Sequence, residues 1–175
     1  MLEPADSAEA YAFAKNAFEL SEKYDTPVLL RMCTRIAHSQ SIVELGERVE
    51  APVKEYVKNP GKYIMMPGNA KLRHPVVEDR TAALAEMAND CMYNTVEMAQ
   101  GNEIGIITSG CSYLYVKEVM GDKASILKIG MPHPLPEKLI RDFAAKVKKL
   151  YVIEELDPVI ENYVRSLGIE VTGKD

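Results

Sequence analysis

The sequence predicts an α/β protein built around a parallel β-sheet. Over the last hundred residues, short apolar runs alternate with amphipathic segments, as the strands and crossover helices of a parallel sheet do. The 175 residues are 47% hydrophobic and 27% charged, with 10 Gly and 10 Pro. This composition is typical of a soluble globular protein and excludes fibrous and disordered chains.

The first forty residues predict one helix and one strand. Asp6-Ser7-Ala8-Glu9 has the form of a capping box, and the alanine-rich stretch after it predicts a helix to about Tyr24. Asp25-Thr26-Pro27 ends this helix, and the apolar run 28–33 predicts a buried strand. Because nothing upstream supplies the rest of an α/β unit, we expect the chain to be a piece of a longer protein.

The next segment is irregular. Between about residues 39 and 75 the chain is interrupted by Pro52, Pro60, Gly61, Pro67, Gly68 and Pro75. So long an irregular connection is uncommon inside one domain. We therefore predict a linker at 41–75 between a domain at 1–40 and another at 76–175, with a short strand at 63–66.

The last hundred residues supply most of the predicted elements. Apolar side chains at helical spacing over 84–99 predict a long helix that Gly101 ends. Strands are predicted at 104–108, 125–129, 150–153 and 169–171, with helices at 112–120, 137–147 and 158–167.

Charge and hydropathy exclude some functions. Lys and Arg number 21 against 26 Asp and Glu, which gives a formal net charge of -5 and argues against nucleic acid as the main partner. No apolar run approaches the ~20 residues that span a bilayer, and the first residues lack the features of a secretory signal. We expect a cytoplasmic protein that does not contact a membrane.

Three cysteines, Cys33, Cys91 and Cys111, are widely spaced and form no C-x-x-C motif. We expect free or packed thiols rather than disulfides, structural zinc or an iron-sulfur cluster.

The candidate site residues follow the predicted strands, because ligands of open parallel sheets bind beyond the carboxyl ends of the strands. Ser109 and Gly110 precede a helix and could offer amides to an anion, but without a dinucleotide or P-loop motif we favour a structural strand-to-helix turn. His133 lies in a proline-rich loop suited to an interface. Glu154 is either a general acid or base or a carboxylate beside a helix N-terminus.

A second set of candidates follows the predicted strand 28–33. Arg31, Arg35 and His38 leave this apolar run in a polar segment, where an arginine could bind a carboxylate or phosphate. A salt bridge at a domain junction is an equally good interpretation.

Several segments together carry a resemblance to a known family, and they fall in that family's order. They are Pro27-Val28-Leu29-Leu30-Arg31, Thr34-Arg35-Ile36-Ala37-His38-Ser39, Pro67-Gly68-Asn69-Ala70 with Arg73-His74, the stretch 104–110, the stretch 128–140 and the stretch 152–158. Over essentially its whole length the chain resembles the alpha subunit of the indolepyruvate ferredoxin oxidoreductases.

The resemblance implies an internal fragment. Residues 1–40 would be the last helix and strand of a pyrimidine-type thiamine diphosphate domain, and 76–175 a three-layer sandwich like the C-terminal domain of transketolase. The sequence has no G-D-G followed by N-N and no cysteine cluster. The glutamate that activates thiamine would lie upstream of Met1. The fragment is therefore expected to hold no catalytic, cofactor-binding or metal-binding residue and to be inactive alone.

The parent enzyme implied by the resemblance oxidatively decarboxylates an aryl pyruvate such as indolepyruvate to an acyl-CoA and passes electrons to ferredoxin. It would use thiamine diphosphate, magnesium, [4Fe-4S] clusters and coenzyme A, with a beta subunit as partner. The present piece would have a structural and interface role. The alternatives are a stand-alone interaction or ligand-binding module, and the related pyruvate or branched-chain 2-oxoacid enzyme; a homodimer of the fragment also stays open.

Overall fold

Four strands and seven helices form within residues 1–174, the part of the chain that the computed structural model describes. The helices are α1 (Ser7–Tyr24), α2 (Thr34–His38), α3 (Pro60–Tyr63), α4 (Pro67–Ala88), α5 (Ser112–Met120), α6 (Glu137–Ala144) and α7 (Val159–Ser166). The strands are β1 (Asn94–Glu97), β2 (Ile104–Ser109), β3 (Ser125–Ile129) and β4 (Lys149–Ile153). The predicted end of the second domain, Asp175, lies outside the described residues.

The sheet has the order β1-β3-β2-β4. The central strand β2 pairs in parallel with β3 and β4, while β1 pairs with β3 in the antiparallel sense, with Asn94 opposite Ile129. The predicted α/β class with parallel strands is confirmed. The antiparallel outer strand was not predicted.

Helices cover both faces of the sheet. Ile107, Leu127 and Val152 pack on one face with side chains of α6 and α7, among them Phe143 and Val164. Residues next in sequence point the other way, because side chains alternate along a strand. On that second face Ile106 and Ile126 pack against Val116 of α5. The result is a three-layer arrangement.

Helix α1 begins where its cap predicts. The Asp6 side chain accepts a hydrogen bond of 2.8 Å from the Glu9 amide, and the Glu9 carboxylate accepts one of 2.8 Å from the Ala5 amide. These bonds satisfy amides that a helix N-terminus leaves unpaired. The helix ends at Asp25, whose φ of 51° is left-handed.

The two predicted elements nearest the linker were wrong. Residues 28–33 form no regular strand and make a single parallel bridge, between Leu30 and Leu2. The segment 63–66 is not a strand either, because α3 occupies its start. Asn59 caps α3 by accepting a hydrogen bond from the Lys62 amide at 3.1 Å, and Pro60 fits the first helical turn.

The predicted helix over 84–99 was wrong in its second half. Helix α4 runs from Pro67, through Pro75, to Ala88, and β1 follows it. The Asn94 side chain fixes the turn by donating to the Ala88 carbonyl at 2.7 Å and accepting from the Gly130 amide at 3.0 Å. Because α4 passes through residue 75, the predicted linker boundary coincides with no element boundary, and the division into domains stays a prediction.

Two smaller differences lie near the C-terminus. The predicted helix 137–147 ends at Ala144. In place of a strand at 169–171 there is one bridge, between Thr172 and Tyr151. The Glu161 carboxylate, fully buried, accepts a hydrogen bond from the Lys174 amide at 2.8 Å just beyond this bridge.

Residues 40–58 form no helix or strand and leave apolar side chains exposed. These side chains are Ile42, Leu45, Val49, Val53, Tyr56 and Val57, of which Val53 is 98% exposed. Among residues 1–174 no helix has the length and apolar character needed to span a bilayer.

Candidate functional site at the carboxyl edge of the sheet

The carboxyl ends of the three parallel strands meet at one edge, as predicted. We call the residues after them, 109–111, 130–133 and 154–155, the carboxyl edge. A cavity of about 290 Å³ opens there, and its walls include Glu3, Arg31, Ser109, Glu154 and Glu155. The cavity thus brings together three predicted site residues, Arg31, Ser109 and Glu154, with Glu155, the sequence neighbour of Glu154. The N-terminal segment adds Glu3 to its wall.

The N-terminal segment reaches this edge through its main chain. The Leu2 amide donates to the Leu29 carbonyl, the Arg31 amide to the Leu2 carbonyl and the Glu3 amide to the Gly130 carbonyl, each at 2.8 Å. Leu2 is fully buried. These bonds carry residues 29–31 to the end of β3, although no strand forms.

Arg31 pairs with a carboxylate of its own chain. Its Nη1 donates to Glu3 Oε1 at 2.8 Å. Burial raises the pKa of the Glu3 carboxyl, and the nearby charge of Glu155 raises it further; Arg31 and Ser109 only partly offset this. The geometry is that of the internal salt bridge that the sequence left open.

The turn after β2 is filled by the same carboxylate. Ser109 is buried, and Gly110 has a left-handed φ of 51°. A Cβ on Gly110 would lie only 2.8 Å from Glu3 Oε1. The space in which Ser109 and Gly110 could have met an external anion therefore holds Glu3, which fits the structural interpretation of this turn.

Glu154 caps a helix. Its Oε2 accepts from the Ile160 amide at 2.9 Å and its Oε1 from the Glu161 amide at 3.0 Å. A carboxylate at this position satisfies two unpaired amides and interacts favourably with the helix dipole. Of the two roles considered for Glu154, this geometry favours the one beside the helix N-terminus.

Arg35 lies at the carboxyl edge too, in a second ion pair. Its Nη1 donates to Glu155 Oε1 at 2.6 Å, and its guanidinium lies 5.9 Å from the centre of the Tyr115 ring. The two histidines are different. His38 is exposed, and its side chain makes no hydrogen bond or ion pair with another residue of 1–174. His133 is exposed too, and its carbonyl accepts a hydrogen bond from the Met1 ammonium at 2.8 Å.

Two cysteines, Cys33 and Cys111, meet beside Glu155, a cluster that no sequence motif predicts. The Sγ atoms of Cys33 and Cys111 and a carboxylate oxygen of Glu155 all lie within 4.8 Å of one another. Cys111 is buried, and desolvation, with smaller contributions from Cys33 and Glu155, raises its pKa to about 12. The only signal in the sequence was position, since Cys111 follows β2 and Cys33 follows the apolar run 28–33.

No protein-family model matches the chain. The indolepyruvate oxidoreductase subunit IorA of Archaeoglobus fulgidus is 36% identical to it, in an alignment that covers 99% of this chain and 29% of that protein. IorA of Thermococcus kodakarensis is 35% identical, over 100% of this chain and 30% of the relative, and IorA of Pyrococcus horikoshii is 36% identical over the same shares.

A solved structure, 2-oxoglutarate:ferredoxin oxidoreductase from Magnetococcus marinus, matches with a TM-score of 0.47 and 20% identity, covering 63% of this chain and 20% of that one. The chain spans less than a third of the length of its curated relatives. The resemblance that the residues predicted is confirmed: over its whole length this chain is similar to one part of indolepyruvate oxidoreductase subunit IorA.

Proposed function

We propose that this chain is a structural and interface part of the alpha subunit of an indolepyruvate ferredoxin oxidoreductase. The observation that carries the proposal is the 36% identity to IorA over 99% of the chain, against only 29% of that relative. The complete enzyme would oxidatively decarboxylate an aryl pyruvate to an acyl-CoA and reduce ferredoxin. Thiamine diphosphate, magnesium and [4Fe-4S] clusters would be bound by other parts of the enzyme, whose partner is a beta subunit, in the cytoplasm.

The carboxyl edge supports a structural role. The three carboxylates that line the cavity there already have partners within the chain: Glu3 pairs with Arg31, Glu155 pairs with Arg35, and Glu154 accepts hydrogen bonds from amides of α7. A general acid or base must reach a substrate proton, and carboxylates committed to these bonds are poorly placed for that. In this role Arg31 and Arg35 form salt bridges at the junction between the predicted domains, and His38 lies close to them in the sequence.

The exposed apolar side chains of residues 40–58 support an interface role. Ile42 is 95% exposed and Val53 98%, in a stretch without regular hydrogen bonding. Several large apolar side chains exposed within one segment are typical of interaction sites. We place the contact with the rest of the alpha subunit or with the beta subunit on this segment and on the loop around His133.

Reconstitution tests the activity. The full-length alpha subunit that contains these residues, expressed with its beta subunit, should reduce ferredoxin in the presence of indolepyruvate and coenzyme A, and faster than with pyruvate or a branched-chain 2-oxoacid. The 175-residue chain alone should give no turnover. Preference for an aliphatic 2-oxoacid would contradict the substrate class, and turnover by the bare chain would contradict the structural role.

Hydrogen exchange tests the interface. Amides of residues 40–58 should exchange fast in the isolated chain and become protected in the assembled enzyme. Strand β2, protected in both samples, serves as the internal control. Equal exchange of 40–58 in the two samples would remove this segment from the interface.

A further inference from the structure

Three side chains of the types that bind metal ions meet at the carboxyl edge from distant parts of the sequence. Cys111 follows β2, Glu155 follows the neighbouring strand β4, and Cys33 directly precedes α2. One ligand atom from each lies within 4.8 Å of the other two. Within residues 1–174 this is the single group of three such ligands.

The spacing is close to that of a coordination sphere. Zinc bonds of about 2.3 Å to sulfur and about 2.1 Å to oxygen place tetrahedral ligands roughly 3.5–3.8 Å apart. The three ligand atoms, within 4.8 Å of one another, are therefore at most about 1.3 Å farther apart than the ligands of a zinc ion. Thiolate sulfur selects zinc-like ions over magnesium and calcium.

The charges around the cluster balance with a divalent cation. Two thiolates and one carboxylate would carry three negative charges, and Arg35, 2.6 Å from Glu155, carries one positive charge. The adjacent pair of Glu3 and Arg31 is neutral as a whole. A divalent ion brings the cluster to neutrality, which matters because Cys111 is buried.

Arg35 also has a defined place in such a site. It donates to one oxygen, Oε1, of the Glu155 carboxylate, which leaves Oε2 for a metal. Carboxylates that bind metals are commonly oriented by a hydrogen bond of this kind.

We propose that Cys33, Cys111 and Glu155 bind one divalent, thiolate-preferring cation of the zinc type, with Arg35 holding the Glu155 carboxylate in position. As each sulfur-metal bond forms, an S–H bond breaks and its proton passes to solvent, so one cation displaces two thiol protons and no electron is transferred. Three protein ligands leave the fourth tetrahedral position to water or another small ligand. The three cysteines are free in the structure, as the sequence predicts, and the proposed site would use two of them.

Cobalt titration tests the proposal. The reduced, chelator-treated 175-residue chain is titrated with Co²⁺, and absorption from thiolate-to-cobalt charge transfer is followed in the near ultraviolet. We expect this band to saturate at one Co²⁺ per chain and to disappear when Zn²⁺ is added. A folded chain, by circular dichroism, without the band would overturn the proposal.

The three cysteines supply matched variants. Cys33→Ser, at a half-buried position, should abolish the band, and Cys111→Ala should do the same, whereas Cys91→Ser should retain it. Glu155→Gln should weaken Co²⁺ binding at least tenfold. A band that survives Cys33→Ser, or one that is lost in Cys91→Ser, would refute this ligand set even if Cys111→Ala fails to fold.

Discussion

Replacing Glu154 by alanine should destabilise the protein through α7. The carboxylate accepts hydrogen bonds from two amides, of Ile160 and Glu161, at 2.9 and 3.0 Å. These residues are only 3% and 0% exposed, so water replaces the lost acceptor poorly. Loss of a helix cap costs about 1 kcal/mol, and a second unpaired amide with the lost charge beside the helix dipole adds about 1 kcal/mol.

We therefore expect Glu154→Ala to lower the free energy of unfolding by about 2 kcal/mol. With a urea dependence of about 2 kcal/mol per molar, the midpoint falls by about 1 M. Glu154→Gln keeps one oxygen acceptor and should lose about 1 kcal/mol. Unfolding is followed by circular dichroism at neutral pH.

The adjacent carboxylate supplies the control. Glu155 pairs with Arg35, whose side chain is 63% exposed, so Glu155→Gln should cost no more than about 0.5 kcal/mol. If Glu154→Ala destabilises the chain no more than Glu155→Gln does, the capping role is refuted and the general acid or base interpretation of Glu154 regains support.

Two further changes probe the sheet and its outer strand. Gly130→Ala should lower the free energy of unfolding by about 3 kcal/mol or more, because the new Cβ would lie 2.3 Å from the Tyr93 carbonyl oxygen. In the control variant Gly68→Ala the new Cβ meets nothing within 4 Å, so the change should be neutral or stabilising. Equal urea midpoints for the two variants would contradict this packing. The pKa of Glu97 is lowered chiefly by its hydrogen bond from Lys117, at 2.5 Å, so its stabilisation is present above about pH 4.5 and is lost as the pH falls through the folded-state value. Glu97→Gln should thus lower the free energy of unfolding by up to about 0.5 kcal/mol at pH 7, because the carboxylate is partly exposed, and by less at pH 3. If the variant and the unchanged protein differ in stability by the same amount at both pH values, the stabilising role of the Glu97–Lys117 pair is refuted.

Short sequence patterns were sufficient to predict one helix and the three parallel strands. Helix α1 was predicted from its Asp6 cap. Strands β2, β3 and β4 were predicted from apolar runs rich in isoleucine, leucine and valine, which are flanked by glycine or by helix caps. Each of these elements is determined mainly by residues inside or next to it, which is why sequence patterns reach them.

Strand β1 was missed because its residues satisfy two patterns. Thr95 and Val96 lie at positions that continue the helical spacing of α4, yet both are β-branched and fit a strand equally well. Pairing with β3 and the bonds of Asn94 to residues 88 and 130 decide between the two. Such long-range contacts leave no mark in the local sequence.

The location of the candidate site was predictable from the sequence, but the contacts among its residues were not. The parallel strands located the carboxyl edge, and Ser109, Gly110 and Glu154 do lie on it. That Glu3 would fill the turn at Gly110, or that Cys33 would approach Cys111, depends on how residues 2 and 29–31 pair, and a short bridge of this kind has no sequence signature.

The bonds of the N-terminal segment have a consequence for how the carboxyl edge forms and opens. The Glu3 amide and the Gly130 carbonyl to which it donates are 127 positions apart in the sequence. Closing so long a loop costs chain entropy that the contacts at its ends must repay, so we expect this edge to form after the sheet and to separate before it. Release of residues 1–3 would detach Arg31 and the run toward Cys33 from the strand ends while β2, β3 and β4 stay paired. The candidate site is thus held together by contacts between residues that are far apart in the sequence.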